Sequence, residues 1–258
     1  MDRDDFEKLE KLYHYTSFDK SLKILASNKL RFGKLNNMND IHESYRHLMY
    51  DFCINEDDIR DELKRYRQLS LVRDKEPRRG FDIPAMWAHY ADNGCGVCLV
   101  FDKEKLLSSL HVDIQHDNVA YDFNHDGSIC VLGKSKDCIL DTFMKEQKKL
   151  FFTKTSDWSY EQEYRLLVRT HDSSSKYFLD YKDSLIAIIL NFAEDVDKDK
   201  CVLESVNVKI LNEMQIDIPI LELGYWDENP VLRDEKGEDW MNPNKNRVLD
   251  DKRNSKNL

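Results

Sequence analysis

The chain has 258 residues, of which 41% are hydrophobic and 34% are charged, and its formal net charge is −10. This length suffices for a sizeable core, and the negative charge disfavours nucleic-acid binding by the surface as a whole, though not by a local basic patch. No apolar run approaches the ~20 residues that span a bilayer, and the acidic N-terminus lacks the apolar core of a signal peptide, which predicts a cytoplasmic globular protein.

The first predicted strand is Lys11–Thr16, which is rich in β-forming residues. Because side chains alternate along a strand, His14 and Thr16 would lie on one face, with Tyr13 and Tyr15 on the other. The elements expected next, in chain order, are a helix that ends near Asn28, a short strand at Leu30–Gly33, a turn-prone loop at Asn36–Asp40 and a helical insertion over about residues 41–80.

A basic segment lies within and just after this predicted helical region, between Lys64 and Arg79. It has only two acidic residues and seven basic ones: Lys64, Arg65, Arg67, Arg73, Lys75, Arg78 and Arg79. One interpretation is a solvated helix face and loop. The other is a contact for the phosphates of a nucleic acid.

The remaining elements alternate without a regular βαβ rhythm. In chain order they are strand Val97–Phe101, a short helix to Leu110, strand Val112–Tyr121, helix Ser135–Phe152, strand Glu161–Val168, strands Lys176–Tyr181 and Leu185–Leu190, helix Asp195–Leu203, and edge strand Ile216–Leu223. No dinucleotide or P-loop motif occurs. The pattern predicts one α+β domain over residues 1–226. A charged tail over residues 227–258 would be disordered or docked through Trp240 and Met241.

The cysteine and histidine spacings do not indicate a metal site. The six cysteines include a lone CxxC at Cys95 and Cys98, which is more typical of ordinary buried thiols in a reduced protein. His111, His116 and His125 are too loosely spaced to form a metal-ligand motif. We therefore expect no metal cofactor.

Two glutamates dominate the segment Trp158–Arg165. If the strand begins at Glu161, then Glu161, Glu163 and Arg165 share one face. Neighbouring carboxylates repel each other unless a cation compensates them, and Arg165 is such a cation. The segment is therefore either a surface ion pair or part of a catalytic site. A glycosidase pair is disfavoured, because both carboxylates would lie on one wall rather than flank a cleft.

Three other segments combine polar and aromatic side chains. His14 lies between two tyrosines, Trp87 is followed by His89 and Tyr90, and Asn39-Asp40 lies shortly before Glu43. Each has a plain structural interpretation: a core histidine, a packed corner and a turn, respectively. Each is also a candidate binding site.

Together these segments resemble a known family. Leu12–Ser17, Leu35–Glu43, Met86–Leu99 and Trp158–Arg165 are similar, in order and spacing over about residues 10–225, to a family of bacterial and phage proteins with a domain of unknown function numbered 2971. That family in turn resembles the ADP-ribosyltransferase fold, which has a split antiparallel β-core and binds NAD in its cleft. The resemblance thus implies this fold, with surrounding helices.

The resemblance also implies site residues. His14 matches the histidine on the first strand and Glu163 the glutamate on a later strand, with Glu161 as a second catalytic candidate. The implied NAD-binding residues are His14, Tyr15, Thr16, Asn39, Trp87, His89, Tyr90 and Arg165. A carboxylate below the ribose would stabilise the oxocarbenium-like state formed when nicotinamide leaves, and Glu161 would orient or deprotonate the acceptor.

The expected function is therefore an NAD-dependent ADP-ribosyltransferase, as a toxin or phage-defence effector. Its acceptor would be nucleic acid, bound through the basic segment, or protein, and an antitoxin is a candidate partner. Three alternatives stay open: an NAD glycohydrolase, a non-catalytic module that binds a nucleotide or a partner, and a structural interaction protein.

Overall fold

The computed structural model describes residues 3–35, 48–50, 56–125, 129–131, 136–191, 209–214, 218–226, 229–234 and 236–241. They form two compact units, each assembled from separate segments of the chain. The first unit comprises Met1–Ala26, Glu76–Leu106 and Asp183–Leu258, and the second comprises Ser27–Lys75 and Leu107–Lys182. Helices and strands are intermixed in both units, which confirms the α+β class.

The strands are numbered in chain order. They are β1 (Lys11–Thr16), β2 (Lys29–Arg31), β3 (Gly33–Lys34), β4 (Leu48–Tyr50), β5 (Tyr66–Arg73), β6 (Val97–Asp102), β7 (Gln115–Asn118), β8 (Ala120–Tyr121), β9 (Ile129–Val131), β10 (Thr153–Lys154), β11 (Glu163–Arg169), β12 (Phe178–Asp180), β13 (Leu185–Asn191), β14 (Ile220–Trp226), β15 (Asn229–Asp234) and β16 (Asp239–Met241). The α-helices are Arg3–Lys8, Phe18–Ser27, Glu56–Leu63, Pro84–Tyr90, Lys103–Ser108, Lys136–Lys145 and Gln147–Phe151, with a further short helix at 209–213. No helix among the described residues is both long and apolar enough to cross a membrane.

The first unit contains a mixed sheet in the order β16-β15-β14-β13-β6-β1. Strand β1 has the predicted bounds and pairs antiparallel with β6, His14 opposite Leu99. Strands β13 and β14 are parallel, with Ile188 opposite Ile220. This sheet therefore contains a parallel pair of strands, whereas the predicted core would be antiparallel throughout. Its central strands β6 and β13 are almost entirely buried, so they form the core of the unit.

The prediction that the strand near Pro219 lies at the sheet edge is wrong. Strand β14 pairs with β13 on one side and β15 on the other. Pro219 precedes the strand, and its carbonyl oxygen accepts a hydrogen bond from the Ile188 N–H. A proline at this position interrupts no ladder bond, because it contributes only its acceptor.

Two strands occupy part of the region predicted as a charged tail. Strands β15 and β16 extend the sheet beyond β14. Met241 is buried, the Trp240 indole N–H donates to Asp234 Oδ2 at 3.1 Å, and the Trp240 ring lies edge-on to Phe6 at 5.7 Å. The residues from 242 onward lie outside the described residues.

A tight loop connects the helix Pro84–Tyr90 to strand β6. Asp92, Asn93 and Gly94 all have positive φ angles, and the N–H groups of Gly94 and Gly96 both donate to the Ala91 carbonyl. A Cβ atom on Gly96 would lie 2.4 Å from the Thr16 carbonyl oxygen and 2.7 Å from Ala91 Cα. Gly96 thus permits the loop to contact the end of β1.

We predict that Gly96→Ala destabilises the protein by about 1–3 kcal/mol, because the new methyl group would collide with backbone atoms that cannot move independently. Urea unfolding followed by circular dichroism measures this. Gly224→Ala is the matched control, since nothing lies within 4 Å of the added Cβ atom. Equal stability of the two variants would contradict the proposed contact.

The second unit contains an antiparallel sheet in which β5 pairs with β3 and β11, and β11 pairs with β7. Three two-stranded sheets accompany it: β8 with β10, β2 with β12, and β4 with β9. The ring of Tyr66 stacks on Phe151 at 4.6 Å, within a core that includes Ile59, Ile139 and Phe143. This core joins the sheet to three helices of the unit.

The predicted helical insertion over residues 41–80 is wrong in part. Among its described residues only Glu56–Leu63 forms a long helix, whereas Leu48–Tyr50 and Tyr66–Arg73 are strands. Tyr66 falls at helical spacing from Ile59 and Leu63, but it starts a segment whose Leu69, Leu71 and Val72 side chains are buried in the sheet. The predicted loop Asn36–Asp40 and helix Asp195–Leu203 lie outside the described residues.

Two further predicted elements are interrupted in the structure. The helix expected over Ser135–Phe152 consists of Lys136–Lys145 and Gln147–Phe151, with Glu146 between them in a non-helical conformation. The strand expected over Val112–Tyr121 consists of β7 and β8, because Val119 bonds to Glu163 while Ala120 turns to pair with the segment after Phe152.

Candidate functional site

The two glutamates of the Trp158–Arg165 motif do not lie on one strand, so the prediction of a shared strand face is wrong. Ser156–Glu161 is a 3₁₀-helix, and β11 begins at Glu163. Gln162, between them, is left-handed with φ 47° and ψ 43°. This conformation redirects the chain at Gln162. Glu161 and Glu163 nevertheless bind the same lysine.

Glu163 is 2% exposed and binds Arg165 through both carboxylate oxygens. Arg165 Nε lies 2.7 Å from Oε1 and Nη2 lies 2.8 Å from Oε2, so the predicted pairing of these residues is confirmed. Arg165 is completely buried, and its Nη1 donates to the Phe151 carbonyl oxygen. A planar guanidinium is suited to such a two-bond contact with a carboxylate.

Lys154 joins the two glutamates. Its Nζ atom lies 2.6 Å from Glu161 Oε2 and 2.9 Å from Glu163 Oε2, and it lies over the Trp158 ring at 5.6 Å from the centroid. We call Lys154, Glu161, Glu163 and Arg165 the buried charge cluster. The charges of its two positive and two negative side chains sum to zero. The sequence interpretation missed Lys154, and the available signal was a lysine two residues after the apolar Phe151-Phe152 pair.

Two hydroxyl groups complete the surroundings of Glu163. The Glu163 N–H donates to the Tyr121 hydroxyl at 2.8 Å. The Ser70 side chain hydrogen-bonds the Glu163 carboxylate, and Ser70 itself is exposed. Ser70 is therefore the partner through which the buried carboxylate is connected to the surface.

The electrostatic surroundings keep Glu163 ionised. Burial by itself raises the pKa of this carboxyl group, but the adjacent Arg165 and Lys154 charges and the hydrogen bonds from Arg165 and Ser70 lower it. The lowering effects prevail, and the pKa of Glu163 falls well below its usual range. Glu163 is thus suited to stabilise positive charge rather than to donate a proton.

We predict that Lys154→Met destabilises the protein by about 3–5 kcal/mol, because it leaves two buried carboxylates with one cation. Denaturant unfolding measures the loss. Lys145→Met, at an exposed position in the same unit, is the matched control and should change stability by less than about 0.5 kcal/mol. Equal stability of the two variants would show that Lys154 does not contribute to the free energy of unfolding.

A second prediction concerns pH. Since the folded pKa of Glu163 lies below its unfolded value of about 4.3, its stabilising effect is complete above that value and is lost as pH falls through the folded pKa. Glu163→Gln should therefore lose more stability at pH 6 than at pH 3, relative to the parent chain. Unfolding curves at the two pH values test this, and a difference independent of pH would contradict the ionised state.

The predicted aromatic residues of the first unit form a packed corner. Tyr15 and Trp87 are both buried, with their rings edge-to-face at 5.1 Å. The Tyr15 hydroxyl donates to the Gly80 carbonyl at 2.7 Å, and the Trp87 indole N–H donates to the Phe81 carbonyl at 2.9 Å. Their polar atoms thus already have protein partners, as the packed-corner interpretation requires.

The other predicted ligand-binding residues of this unit differ in exposure. His14 and Tyr90 are partly exposed, His89 is exposed and Thr16 is buried. The rings of His89 and Tyr90 are 6.4 Å apart and nearly perpendicular. Asn39, with Asp40 and Glu43, lies outside the described residues.

Arg67 does not belong to a basic surface, which corrects its predicted contact with phosphate. It is 1% exposed. Its guanidinium donates to the carbonyl oxygens of Lys64, Tyr66, Ser173 and Ser175. These bonds hold the loop before β12 to the start of β5, so Arg67 has a structural role.

Two more members of the predicted patch have acidic partners: Lys64 pairs with Asp61 at 2.8 Å and Arg65 with Glu62 at 3.7 Å. Lys75 and Arg78 are exposed. Among the described residues, no group of three or more His, Cys, Asp or Glu side chains could hold a metal ion.

Comparison with known proteins finds a protein-family model that matches part of the chain. Residues 86–166 match the model of a protein family of unknown function, DUF2971. The match covers slightly less than a third of the chain and includes both the Met86–Leu99 segment and the Trp158–Arg165 motif, which supports the resemblance to this family. No curated protein and no solved structure matches the chain.

Proposed function

We propose that the protein is an NAD-dependent ADP-ribosyltransferase of an ADP-ribosyltransferase-like fold, with Glu163 as its charge-stabilising carboxylate. The observation that carries the proposal is the buried Glu163 carboxylate, which Arg165 and Lys154 hold at the head of β11, inside the motif that the family match includes. Departure of nicotinamide leaves positive charge on the ribose. A fixed anion stabilises that charge more in the transition state than in the ground state.

The surroundings of Glu163 indicate how a ribose would approach it. The carboxylate already binds Arg165 and Lys154, and its remaining partner, Ser70, is exposed. A ribose 2′-hydroxyl makes the same type of hydrogen bond as a serine hydroxyl. In the proposed complex it replaces Ser70 at Glu163, while Arg165 and Lys154 keep the carboxylate in place.

Glu161 is the proposed acceptor-orienting residue. Its Oε2 atom is held by Lys154 at 2.6 Å, and this lysine joins it to Glu163. Acceptor binding at Glu161 would therefore be coupled electrostatically to the state of Glu163. The contact of His14 with the adenosine-side ribose stays a prediction, as does the choice of nucleic acid or protein as acceptor.

A non-catalytic binding module is the second candidate, and burial of the charge cluster favours it. Glu163 is 2% exposed, and two cations already bind its oxygens. A charge cluster with all its partners in place is also what a purely structural ion network requires. Turnover distinguishes the two candidates.

We predict that the parent protein releases nicotinamide from NAD and transfers labelled ADP-ribose to a macromolecule in a cell extract. Glu163→Gln should lower the rate by about 10²–10³-fold, as expected for loss of one well-placed polar group in the transition state. Nuclease and protease treatment of the labelled product then identifies the class of acceptor.

Glu104→Gln is the matched control, since Glu104 is exposed in the first unit. Circular dichroism establishes whether each variant is folded. Nicotinamide release without a labelled macromolecule would favour the NAD glycohydrolase. A rise in melting temperature with NAD but no turnover would favour the binding module, and no effect of NAD in either assay would overturn the proposal.

A further inference from the structure

The first unit has an open cavity of about 470 Å³ between its N-terminal helix and the last two strands of its sheet. The cavity is lined by Arg3 and Asp4 of the helix Arg3–Lys8, by Asp234 at the end of β15, and by Trp240 in β16. This volume lies within the range of about 300–1,000 Å³ that is typical of small-molecule sites. The lining offers a ligand both an aromatic ring and charged groups.

Contacts within the first unit hold three of the lining side chains in place. The Trp240 indole N–H donates to Asp234 Oδ2 at 3.1 Å. The backbone N–H groups of Lys236 and Glu238 both donate to Asp234 Oδ1 at 3.0 Å. Arg3 Nη2 contacts the Glu238 carboxylate and lies 3.8 Å from Asp234 Oδ2. A ligand in the cavity would therefore meet side chains that are already positioned.

Asp4 differs from the other lining residues. Its carboxylate is exposed, and it has no hydrogen-bond or ion-pair partner in the part of the chain that the structure describes. Arg3, the one cation of the lining, already contacts the carboxylates of Asp234 and Glu238. The cavity therefore has an excess of negative charge, which attracts a cation and repels an anion.

The aromatic ring restricts the kind of cation. Trp240 is partly exposed, and its ring lies edge-on to Phe6 at 5.7 Å. Lys11 Nζ lies 4.8 Å from the centroid of the Phe6 ring, so the neighbouring ring already binds an ammonium group of the chain itself. An indole ring attracts organic cations more strongly than a phenyl ring does. A cation with an aliphatic part therefore suits the cavity.

We propose that this cavity binds an alkylammonium group, with its nitrogen at the Asp4 carboxylate and its carbon chain against the Trp240 ring. The ammonium N–H groups would supply the donors that Asp4 lacks. A neutral alcohol would contact the ring but leave the charge of Asp4 unbalanced. A carboxylate ligand would face Asp4 and Asp234, whereas Arg3 is already paired.

This site is independent of the proposed NAD chemistry. It lies in the first unit, shares no residue with the buried charge cluster and involves no bond-breaking step. The alkylammonium group could come from a free amine or from a lysine side chain of a protein. Both sources present the same positive charge and the same N–H donors.

The test is an NMR titration of the full chain with butylammonium, butan-1-ol and butyrate, at pH 7 and constant ionic strength. The three probes have similar size but are positive, neutral and negative, respectively. We expect butylammonium to bind at least ten-fold more tightly than either of the others and to shift the indole N–H signal of Trp240. Equal affinities, no binding of butylammonium, or a preference for butyrate would overturn the proposal.

Variants locate the site. Asp4→Asn should weaken butylammonium binding at least ten-fold, whereas Asp19→Asn, which removes the same charge at an exposed helical position of the first unit, should leave it unchanged. Trp240→Leu should also weaken binding, and circular dichroism establishes whether it is folded. Binding unaffected by Asp4→Asn would overturn the assignment. The three-probe comparison needs only the parent chain, so it stays decisive if a variant fails to fold.

A last comparison identifies the source of the alkylammonium group. Putrescine represents a free amine, and Nα-acetyl-lysine amide represents the lysine side chain of a protein. Tighter binding of putrescine would assign the cavity to free amines, and tighter binding of the lysine derivative would assign it to a protein partner. Either result supports an alkylammonium site.

Discussion

The second unit depends on balancing the charge of Arg165. This arginine is completely buried within β11, where an unpaired cation would be strongly destabilising. Glu163 offsets it through two hydrogen bonds, Lys154 contacts Glu163, and Glu161 balances Lys154. The four residues are therefore a single electrostatic arrangement. Because removal of any one leaves a buried charge uncompensated, they are constrained together rather than pairwise.

The same arrangement limits what chemistry the cluster performs. A carboxylate that two cations keep ionised stabilises positive charge, but it is a poor proton acceptor. Proton transfer from an acceptor would therefore have to involve another group, and Glu161, which shares Lys154 with Glu163, is the proposed one. The proposed role of Glu163 is thus charge stabilisation, and the proposed role of Glu161 is proton transfer.

Strands with a clear composition were predictable, whereas contacts between distant residues were not. The bounds of β1 are those predicted, and β6 and β13 differ from prediction by one residue, because each is a compact run of β-forming or apolar residues. Strand β5 was predicted as helix because Ile59, Leu63 and Tyr66 recur at helical spacing. The pairing of Arg165 with Glu163 is local and was predictable. The role of Lys154 arises because the 3₁₀-helix and the left-handed Gln162 bring it to both glutamates, and neither feature has a distinctive sequence pattern.

The first unit can be completed only after Trp240 has been synthesised. Its sheet includes β1 near one end of the described chain and β16 near the other, and Phe6 packs against Trp240. The chain segments of the second unit all lie between residues 27 and 182. During translation the ribosome therefore releases every residue of the second unit well before Trp240. The helix Arg3–Lys8 must wait for Trp240, and β1 must wait for β6, so assembly of the first unit depends on slow, long-range contacts.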